Sequence, residues 1–278
     1  MSTPYLTRTD IRELLDAHGL GPSRALGQNF LCDGGTIDKI VRLAAVEPGD
    51  RVVEIGAGLG SLTVGLLHAR ASVTALEIDR YLIPPLTETV ADRGEVAIHH
   101  VDAMEADWDS LLGPPDDGSP PWKVVANLPY NIATPLLLDL LATQPSLERY
   151  LVMVQREAGE RLAAGPGSKI YGIPSVLASY WADVRLVGTV RAELFLPRPK
   201  VASVLVEMVR RPAPVVDVEF DALAALVRAG FGQRRKMLRR ALAERVSAEQ
   251  FEAAGVAPTA RAEELDLAAW GALVRVTG

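Results

Sequence analysis

Hydrophobic residues in the first two thirds of the chain form short continuous runs, separated by longer stretches of mixed polarity. The runs are rich in Val, Ile and Leu and predict strands at Arg51–Ile55, Ser72–Ile78, Glu95–Val101, Lys123–Asn127, Tyr150–Gln155, Val184–Val190 and Ser203–Val209. Continuously apolar strands that alternate with helical stretches are typical of a mostly parallel sheet covered by helices. The last two strands have no convincing helix between them, so we expect an antiparallel end to the sheet. The pattern predicts an α/β protein.

The pattern changes at Arg211-Pro212-Ala213-Pro214. Beyond this point Ala, Leu, Arg and Glu recur at helical spacing and no strand signal remains. We therefore predict two domains, an α/β domain over residues 1–210 and a small all-helical domain over residues 211–278. Within the first domain, proline marks helix starts at Thr134-Pro135 and Ile173-Pro174. The broken segment 113–121 is interpreted as a surface loop, because the strand-helix alternation resumes directly after it.

A glycine-rich turn follows the first strand and precedes a helix, as in folds that bring backbone close to a ligand. Gly56 and Gly58 belong to this turn, which on its own is equally consistent with a role in packing alone. Glu77 ends the next strand, where a carboxylate can accept hydrogen bonds from both ribose hydroxyls, and Asp102 follows the third strand at the same edge. Together these residues predict a binding site for a nucleoside cofactor.

The glycine spacing favours a sulfonium cofactor over a dinucleotide. The sequence has GxGxG where dinucleotide-binding turns have GxGxxG. Glu54 lies beside the turn, where its charge would repel a pyrophosphate but tolerate a positively charged ligand. S-adenosylmethionine has that charge.

The fourth strand ends in Asn127-Leu128-Pro129-Tyr130. This segment has the groups needed to hold the exocyclic amine of adenine. The lone pair of that amine is delocalised into the ring, so a protein promotes methylation of the amine by positioning it. The side-chain oxygen of Asn127 and the carbonyl of Leu128 can accept both amine hydrogens, Pro129 fixes the following turn, and Tyr130 offers a ring on which an extruded base can stack. The alternative is a strand-ending Asn-Pro turn with a buried tyrosine.

Several stretches together resemble the ribosomal RNA adenine dimethyltransferases, and most of all the small-subunit branch of that family. They are Leu26–Leu31, Glu54–Gly60, Asn127–Asn131, Val154–Glu157, Ser168–Gly172 and Phe195–Ser203. The resemblance implies a Rossmann-like class I methyltransferase sheet and S-adenosylmethionine as the cofactor. It assigns to the cofactor the residues Asn29, Leu31, Gly56, Glu77, Asp102 and Asn127. It also implies that Phe195 faces Tyr130 across the target base, although Phe195 taken alone indicates core packing.

The family resemblance implies four methyl transfers to two adjacent adenosines in the 3′-terminal hairpin of 16S ribosomal RNA, within a small-subunit precursor. The chain departs from the family at Tyr171–Ser175, where Ile173-Pro174 replace the Arg-Leu of many members. This departure puts local RNA contacts in doubt. The alternatives are adenine methylation of DNA or of large-subunit RNA by a resistance-type enzyme, and a non-catalytic ribosome-assembly factor.

A cluster of basic residues in the helical domain is predicted to contact RNA phosphates. It comprises Arg234, Arg235, Lys236, Arg239 and Arg240, and we expect Arg198 and Lys200 to join it near the pocket. If the cluster is helical, Arg235 and Arg239 lie one turn apart and repel each other, which an anion would relieve. The alternative is a solvated charged face.

The composition limits the other possibilities. A formal net charge of −6 argues against a protein that coats nucleic acid by bulk electrostatics, so any RNA site must be a local patch. The single cysteine, Cys32, has no Cys or His partners at metal-ligand spacing, and no metal site is predicted. The sequence has neither an apolar leader nor a run of membrane-spanning length, so we expect a cytoplasmic protein without a membrane partner. We also expect it to act as a monomer.

Overall fold

The computed structural model describes residues 5–114, 119–129 and 132–278. Tyr130 and Asn131 lie outside these residues, as does part of the loop predicted at 113–121. The chain divides into two compact units. The first comprises residues 1–159 and 185–209, and the second comprises residues 160–184 and 210–278.

The strands match the predicted positions closely and include two short additions. In chain order they are β1 (Phe30–Leu31), β2 (Arg51–Ile55), β3 (Ser72–Glu77), β4 (Val96–His100), β5 (Trp122–Asn127), β6 (Leu147–Gln155), β7 (Ala182–Val190), β8 (Phe195–Leu196) and β9 (Ser203–Arg210). The helices are α1 (Arg8–Ala17), α2 (Gly34–Leu43), α3 (Ser61–His68), α4 (Ile83–Val90), α5 (Trp108–Leu112), α6 (Ala133–Thr143), α7 (Arg156–Leu162), α8 (Ile173–Trp181), α9 (Phe220–Gly232), α10 (Leu238–Ala241), α11 (Ala248–Ala253) and α12 (Leu267–Thr277). Short 3₁₀ turns cover Ala192–Leu194 and Ala262–Glu264.

Seven strands form one sheet in the order β4-β3-β2-β5-β6-β9-β7. The pairs β3–β4, β2–β3, β2–β5 and β5–β6 are parallel, whereas β6 and β9 are antiparallel. The α/β prediction and the antiparallel end of the sheet are thus confirmed. Because β2, β3 and β5 run in the same direction, their carboxyl ends meet at one edge, where ligands bind in this class of fold.

The core of the first unit packs helices α2 and α3 against the sheet. Ile37 and Ile40 of α2 and Leu62 and Leu66 of α3 belong to one buried cluster, together with Val52, Val73, Val125 and Leu151 of the strands. Every residue of α3 from Ser61 to Leu67 is buried, which is typical of a helix that packs on all sides. This packing fixes the amino end of α3, and with it the glycine turn that precedes α3.

The two-residue strands β1 and β8 were not predicted. They form a separate antiparallel sheet in which Phe30 pairs with Leu196 and Leu31 pairs with Phe195. The pairing ties the segment before α2 to the segment before β9.

The second unit is helical, and besides residues 210–278 it contains a segment that lies outside the domain predicted over residues 211–278. Its buried cluster contains Trp270, Phe251 and Leu223, and it also contains Tyr171 and Tyr180 from the segment Glu160–Val184, which we had assigned to the first domain. The hydroxyls of these tyrosines donate to the carbonyls of Leu265, at 2.9 Å, and Val218, at 2.7 Å. The two tyrosines therefore bond to residues that follow them by 94 and 38 positions, although the sequence places their segment among the strands.

No helix among the described residues is long and apolar enough to cross a membrane.

Candidate active site

The glycine turn after β2 needs glycine because of its backbone conformation. Gly56, Gly58 and Gly60 have φ values of +74°, +60° and +87°, a region that residues with a side chain rarely adopt. A Cβ at Gly56 would lie 3.7 Å from both the carbonyl oxygen of Asn127 and Cδ of Pro129. The turn and the Asn127-Leu128-Pro129 segment are therefore direct neighbours.

Glu77, at the end of β3, is held by backbone donors. One carboxylate oxygen accepts from the N–H of Gly58 at 2.7 Å, and the other accepts from the N–H of Asp79 at 2.9 Å. Burial raises the pKa of this carboxyl, while these backbone donors act in the opposite direction. The glycine turn thus orients the carboxylate predicted to bind ribose.

Glu54, at the end of β2, is the most deeply buried acid of the site. Its side chain lines the same cavity as Glu77 and is 2% exposed, and its Oε2 has no hydrogen-bond partner in the described part of the chain. Burial raises its pKa to about 8, hydrogen bonding to Thr63 acts in the opposite direction, and the nearby charge of Glu77 adds to the rise. A buried carboxyl oxygen without a partner is costly, and a cationic ligand in the cavity would stabilise it.

Asn127 is anchored through the nitrogen of its side chain. Its Nδ2 donates to the backbone oxygen of Asn29 at 3.1 Å. The Nδ2 of Asn29 in turn donates to the carbonyl of Gly27 at 2.8 Å, which folds the Asn29 side chain back onto its own segment. With its nitrogen engaged, the Asn127 amide presents Oδ1 as an acceptor.

One cavity brings most of the predicted site residues together. Those that line it are Asn29, Leu31, Gly56, Gly58, Glu77, Asn127, Leu128 and Pro129. The cavity is also lined by the apolar side chains of Leu26, Leu59, Ile78 and Met153. None of the described lining residues is Lys, Arg or His, whereas two are carboxylic acids. A lining with two acids and no basic side chain fits S-adenosylmethionine, which has a ribose and a positive charge. It does not fit a pyrophosphate.

Two residues predicted for cofactor binding or catalysis, Asp102 and Phe195, are not among the described residues that line this cavity. Asp102 lies two residues beyond β4, half-buried, where its Oδ1 accepts from the N–H of Met104 at 2.9 Å. Phe195 is 1% exposed and packs in the core of the first unit, so the geometry supports its packing role and not base stacking. Phe195 pairs with Leu31 of β1, which does line the cavity. Tyr130 lies outside the described residues.

Sequence reasoning gave no role to Gln28, which also lines the cavity. Its Nε2 donates to Asp79 at 2.7 Å and its Oε1 accepts from the N–H of Ser23 at 2.7 Å. The position of Gln28, directly before Asn29 in a recognisable motif, was the available signal.

In the second unit, the basic cluster is not one helix. Helix α9 ends at Gly232, a turn follows in which Lys236 N–H donates to the carbonyl of Gln233, and Met237 forms a bridge with Arg261 before α10 begins at Leu238. The predicted one-turn stacking of Arg235 on Arg239 is therefore wrong.

Arg234 also differs from the rest of its cluster. Its Nε donates to Glu263 at 2.7 Å and a terminal nitrogen donates to the carbonyl of Lys169 at 2.6 Å, so its guanidinium ties three segments of the second unit together. The other four, Arg235, Lys236, Arg239 and Arg240, are exposed. In the first unit Lys200 is exposed, and the exposed Arg198 pairs with Glu193 at 2.6 Å. Within the described ranges, no group of His, Cys, Asp and Glu could hold a metal ion.

Comparison with known proteins agrees with this geometry. The family pattern described as "Ribosomal RNA adenine dimethylase" matches residues 22–276. The chain is 48% identical to ribosomal RNA small subunit methyltransferase A of Streptomyces coelicolor, over 95% of this chain and 96% of that protein, and 47% identical to the protein of the same name from Thermobifida fusca, over 95% and 93%.

Two solved structures have the same fold. A dimethyladenosine transferase from Plasmodium falciparum superposes with a TM-score of 0.74 at 25% identity, covering 88% of this chain and 95% of that one. The 23S rRNA methyltransferase ErmE superposes with a TM-score of 0.70, also at 25% identity, covering 90% and 99%. The fold is that of a class I methyltransferase, and by both sequence and structure the chain belongs to the ribosomal RNA adenine dimethylase family.

Proposed function

We propose that this chain uses S-adenosylmethionine to dimethylate N6 of two adjacent adenosines in the 3′-terminal hairpin of 16S ribosomal RNA. Its substrate is a precursor of the small ribosomal subunit, and it acts as a monomer. The observation that carries the proposal is the anchored amide of Asn127, which leaves an oxygen acceptor at the cavity beside a pocket suited to a cationic nucleoside.

The site residues act by positioning. Asn127 Oδ1 and the Leu128 carbonyl accept the two hydrogens of the adenine amine, which turns the nitrogen lone pair toward the methyl donor and stabilises the positive charge that develops. Pro129 shapes the turn, and Tyr130 stacks on the extruded base. When bound, S-adenosylmethionine supplies an electrophilic methyl group.

The cofactor is held by the carboxyl ends of the strands. Glu77, oriented by Gly58 and Asp79, accepts hydrogen bonds from the ribose hydroxyls. Gly56 and Gly58 allow backbone to approach, while Asn29, Leu31 and Asp102 complete the site. Glu54 balances the positive charge of the cofactor from the floor of the cavity.

Contact with ribosomal RNA is assigned to the exposed basic residues, namely Arg235, Lys236, Arg239, Arg240, Arg198 and Lys200. Their charges attract phosphates locally although the chain as a whole is acidic. Arg234 is removed from this set, because its guanidinium already binds both Glu263 and the Lys169 carbonyl, whereas the ion pair with Glu193 leaves the Arg198 side chain 67% exposed.

The small subunit is favoured over the large one as substrate. Relatives named small subunit methyltransferase A are nearly half identical to this chain over almost its whole length, whereas the 23S methyltransferase ErmE is 25% identical. Methylation of 23S RNA is the second candidate, because that enzyme shares the fold.

The test is transfer of labelled methyl groups from S-adenosylmethionine to purified unmethylated small subunits, followed by digestion and identification of the nucleosides. We expect labelled dimethyladenosine from the 3′-terminal hairpin. Label that enters only large-subunit RNA or DNA would overturn the choice of substrate. Binding to small subunits without any transfer would instead indicate an assembly factor. The Asn127→Ala protein is the matched control for transfer that does not depend on this site.

A further inference from the structure

The chain has three asparagines, Asn29, Asn127 and Asn131, and all of them lie in the sequence motifs Leu26–Leu31 and Asn127–Asn131. Asn127 is oriented by the backbone oxygen of Asn29, not by a side chain. The acceptor that holds Asn127 is therefore only as fixed as the segment that contains Asn29.

Gln28 fixes that segment through hydrogen bonds of its side chain and backbone. Its Nε2 donates to Asp79 Oδ2 at 2.7 Å, while its Oε1 accepts from Ser23 N–H at 2.7 Å and its backbone N–H donates to the Ser23 carbonyl at 3.1 Å. A side-chain amide can do both tasks at once, because it carries a donor and an acceptor. Gln28 thereby closes the loop of residues 23–28 and fastens it to the turn after β3.

Asp79 is a rigid anchor for this contact. Its backbone N–H donates to Glu77, its Oδ1 accepts from Tyr81 N–H at 3.0 Å, and its carbonyl accepts from Leu82 N–H at 2.9 Å. Asp79 itself does not line the cavity. At the other end of the segment, Gly27 adopts φ +64°, and a Cβ there would lie 4.0 Å from Pro129. The segment 27–29 thus spans the distance from the turn after β3 to the Asn127-Leu128-Pro129 segment.

We propose that Gln28 is a positioning residue for methyl transfer: its hydrogen bond to Asp79 holds the Asn29 carbonyl in place, and this carbonyl orients the amide of Asn127. The inference rests on the proposed role of Asn127 and deepens it. It connects the turn that holds Glu77 to the group that receives the target amine. Movement of the acceptor by about 1 Å can reduce turnover by one to two orders of magnitude, even when binding is preserved.

The kinetic test exchanges the amide of Gln28 and the carboxylate of Asp79 between the two positions. Gln28→Glu places two carboxylates together, and we expect kcat to fall at least about tenfold while the affinity for S-adenosylmethionine, measured by calorimetry, changes less than about threefold. In the double variant Gln28→Glu with Asp79→Asn, the new amide can donate to Glu at position 28 and still accept from Tyr81. We expect kcat to recover to within about threefold of the wild-type value.

Asp79→Ala breaks the same hydrogen bond without altering the lining of the cavity. It should lower kcat by about as much as Gln28→Glu does, and combining the two changes should add little further loss. A wild-type kcat in folded Gln28→Glu protein, or a failure of the double exchange to recover kcat, would overturn the proposal.

A second test needs neither RNA nor cofactor. Protein labelled with ¹⁵N only at asparagine gives just three side-chain amide pairs in a proton–nitrogen correlation spectrum, and Asn131→Gln identifies one of them. We expect Gln28→Glu and Asp79→Ala to shift the Asn127 pair and speed its hydrogen exchange, and the double exchange to restore it. An Asn127 amide pair whose chemical shift and hydrogen exchange rate are the same as in wild type in all three variants would contradict the proposal. Because this readout is independent of the substrate, its result stands even if small subunits are not methylated.

Discussion

Glu54 and Glu77 lie on adjacent parallel strands, with Glu54 in register with Ala75, two residues before Glu77, and only Glu77 has both carboxylate oxygens hydrogen-bonded. The two acids of the pocket therefore differ: two backbone donors orient Glu77, whereas Oε2 of Glu54 has no hydrogen-bond partner among the described residues and would be stabilised by a cationic ligand.

The pKa of Glu54 predicts how stability depends on pH. In the unfolded chain this pKa is near 4.5, and in the folded cofactor-free protein it is about 8. Between these values the folded state retains a proton that the unfolded state loses, so the contribution of Glu54 to stability declines as pH rises from about 4.5 to about 8. Glu54→Gln removes this dependence. We expect the free energy of unfolding of the Glu54→Gln protein, measured in urea, to exceed that of wild type by about 1–3 kcal/mol between pH 6 and pH 8.

The same substitution should have the opposite effect on cofactor binding. Glu54→Gln removes the negative charge that offsets the cation, so affinity for S-adenosylmethionine should fall at least about tenfold at pH 8. Equal pH dependence of stability in both proteins, or unchanged affinity, would show that Glu54 does not titrate as inferred.

Replacement of Asn127 separates binding from chemistry. Asn127→Ala should reduce single-turnover methyl transfer by at least about a hundredfold while calorimetry still detects cofactor binding. Asn127→Asp is the matched comparison, because it keeps an oxygen but loses the nitrogen that donates to Asn29. We expect it to be nearly as inactive. Near-normal transfer by Asn127→Ala would remove this residue from the mechanism.

Glycine is required at position 58 by the geometry of the turn. A Cβ there would approach two ring atoms of Phe30 to 3.2 Å in a backbone conformation of φ +60°. We expect Gly58→Ala to destabilise the protein by about 1–2 kcal/mol and to weaken cofactor binding, because the same N–H orients Glu77. Gly21→Ala is the control, since a Cβ at Gly21 meets no atom within 4 Å. Equal melting temperatures for both variants would contradict the strain argument.

Arg234 and its neighbours should respond differently to truncation. Arg234→Ala breaks contacts to Glu263 and Lys169, and should cost about 1–2 kcal/mol of stability. The triple change of Arg235, Lys236 and Arg239 to Ala should leave the melting temperature near wild type, while it weakens binding to small subunits and flattens the salt dependence of that binding. A triple variant whose affinity falls with salt as steeply as wild type would rule out phosphate contact by these residues.

The sequence predicted the sheet well because local patterns specify it. Continuous Val, Ile and Leu runs marked β2, β3 and β5 to within about a residue, and the residues at their carboxyl ends could be expected to meet because parallel strands share an edge. Gly56, Glu77 and Asn127 were found in this way, and they do line one cavity.

Features that depend on contacts between residues far apart in the sequence could not be predicted from local patterns. Phe30 and Leu31 form a strand only because Phe195 and Leu196 lie beside them, and a two-residue strand has no periodicity. Tyr171 and Tyr180 belong to the helical unit through hydroxyls that reach Leu265 and Val218. Helical composition around Arg235 suggested a continuous helix, but the bridge between Met237 and Arg261 interrupts it.

The pairing of Leu31 with Phe195 also sets an order of events during synthesis of the protein. Leu31 lines the cavity, yet its strand is completed only by residues made more than a hundred and sixty positions later. The glycine turn and the acidic ends of the strands can emerge from the ribosome and begin to fold earlier. The strand that contains Leu31 has no partner until residue 196 has left the exit tunnel. We therefore expect a nascent chain stalled before this point to bind the methyl donor poorly, so that the ability to modify ribosomes arises late in translation.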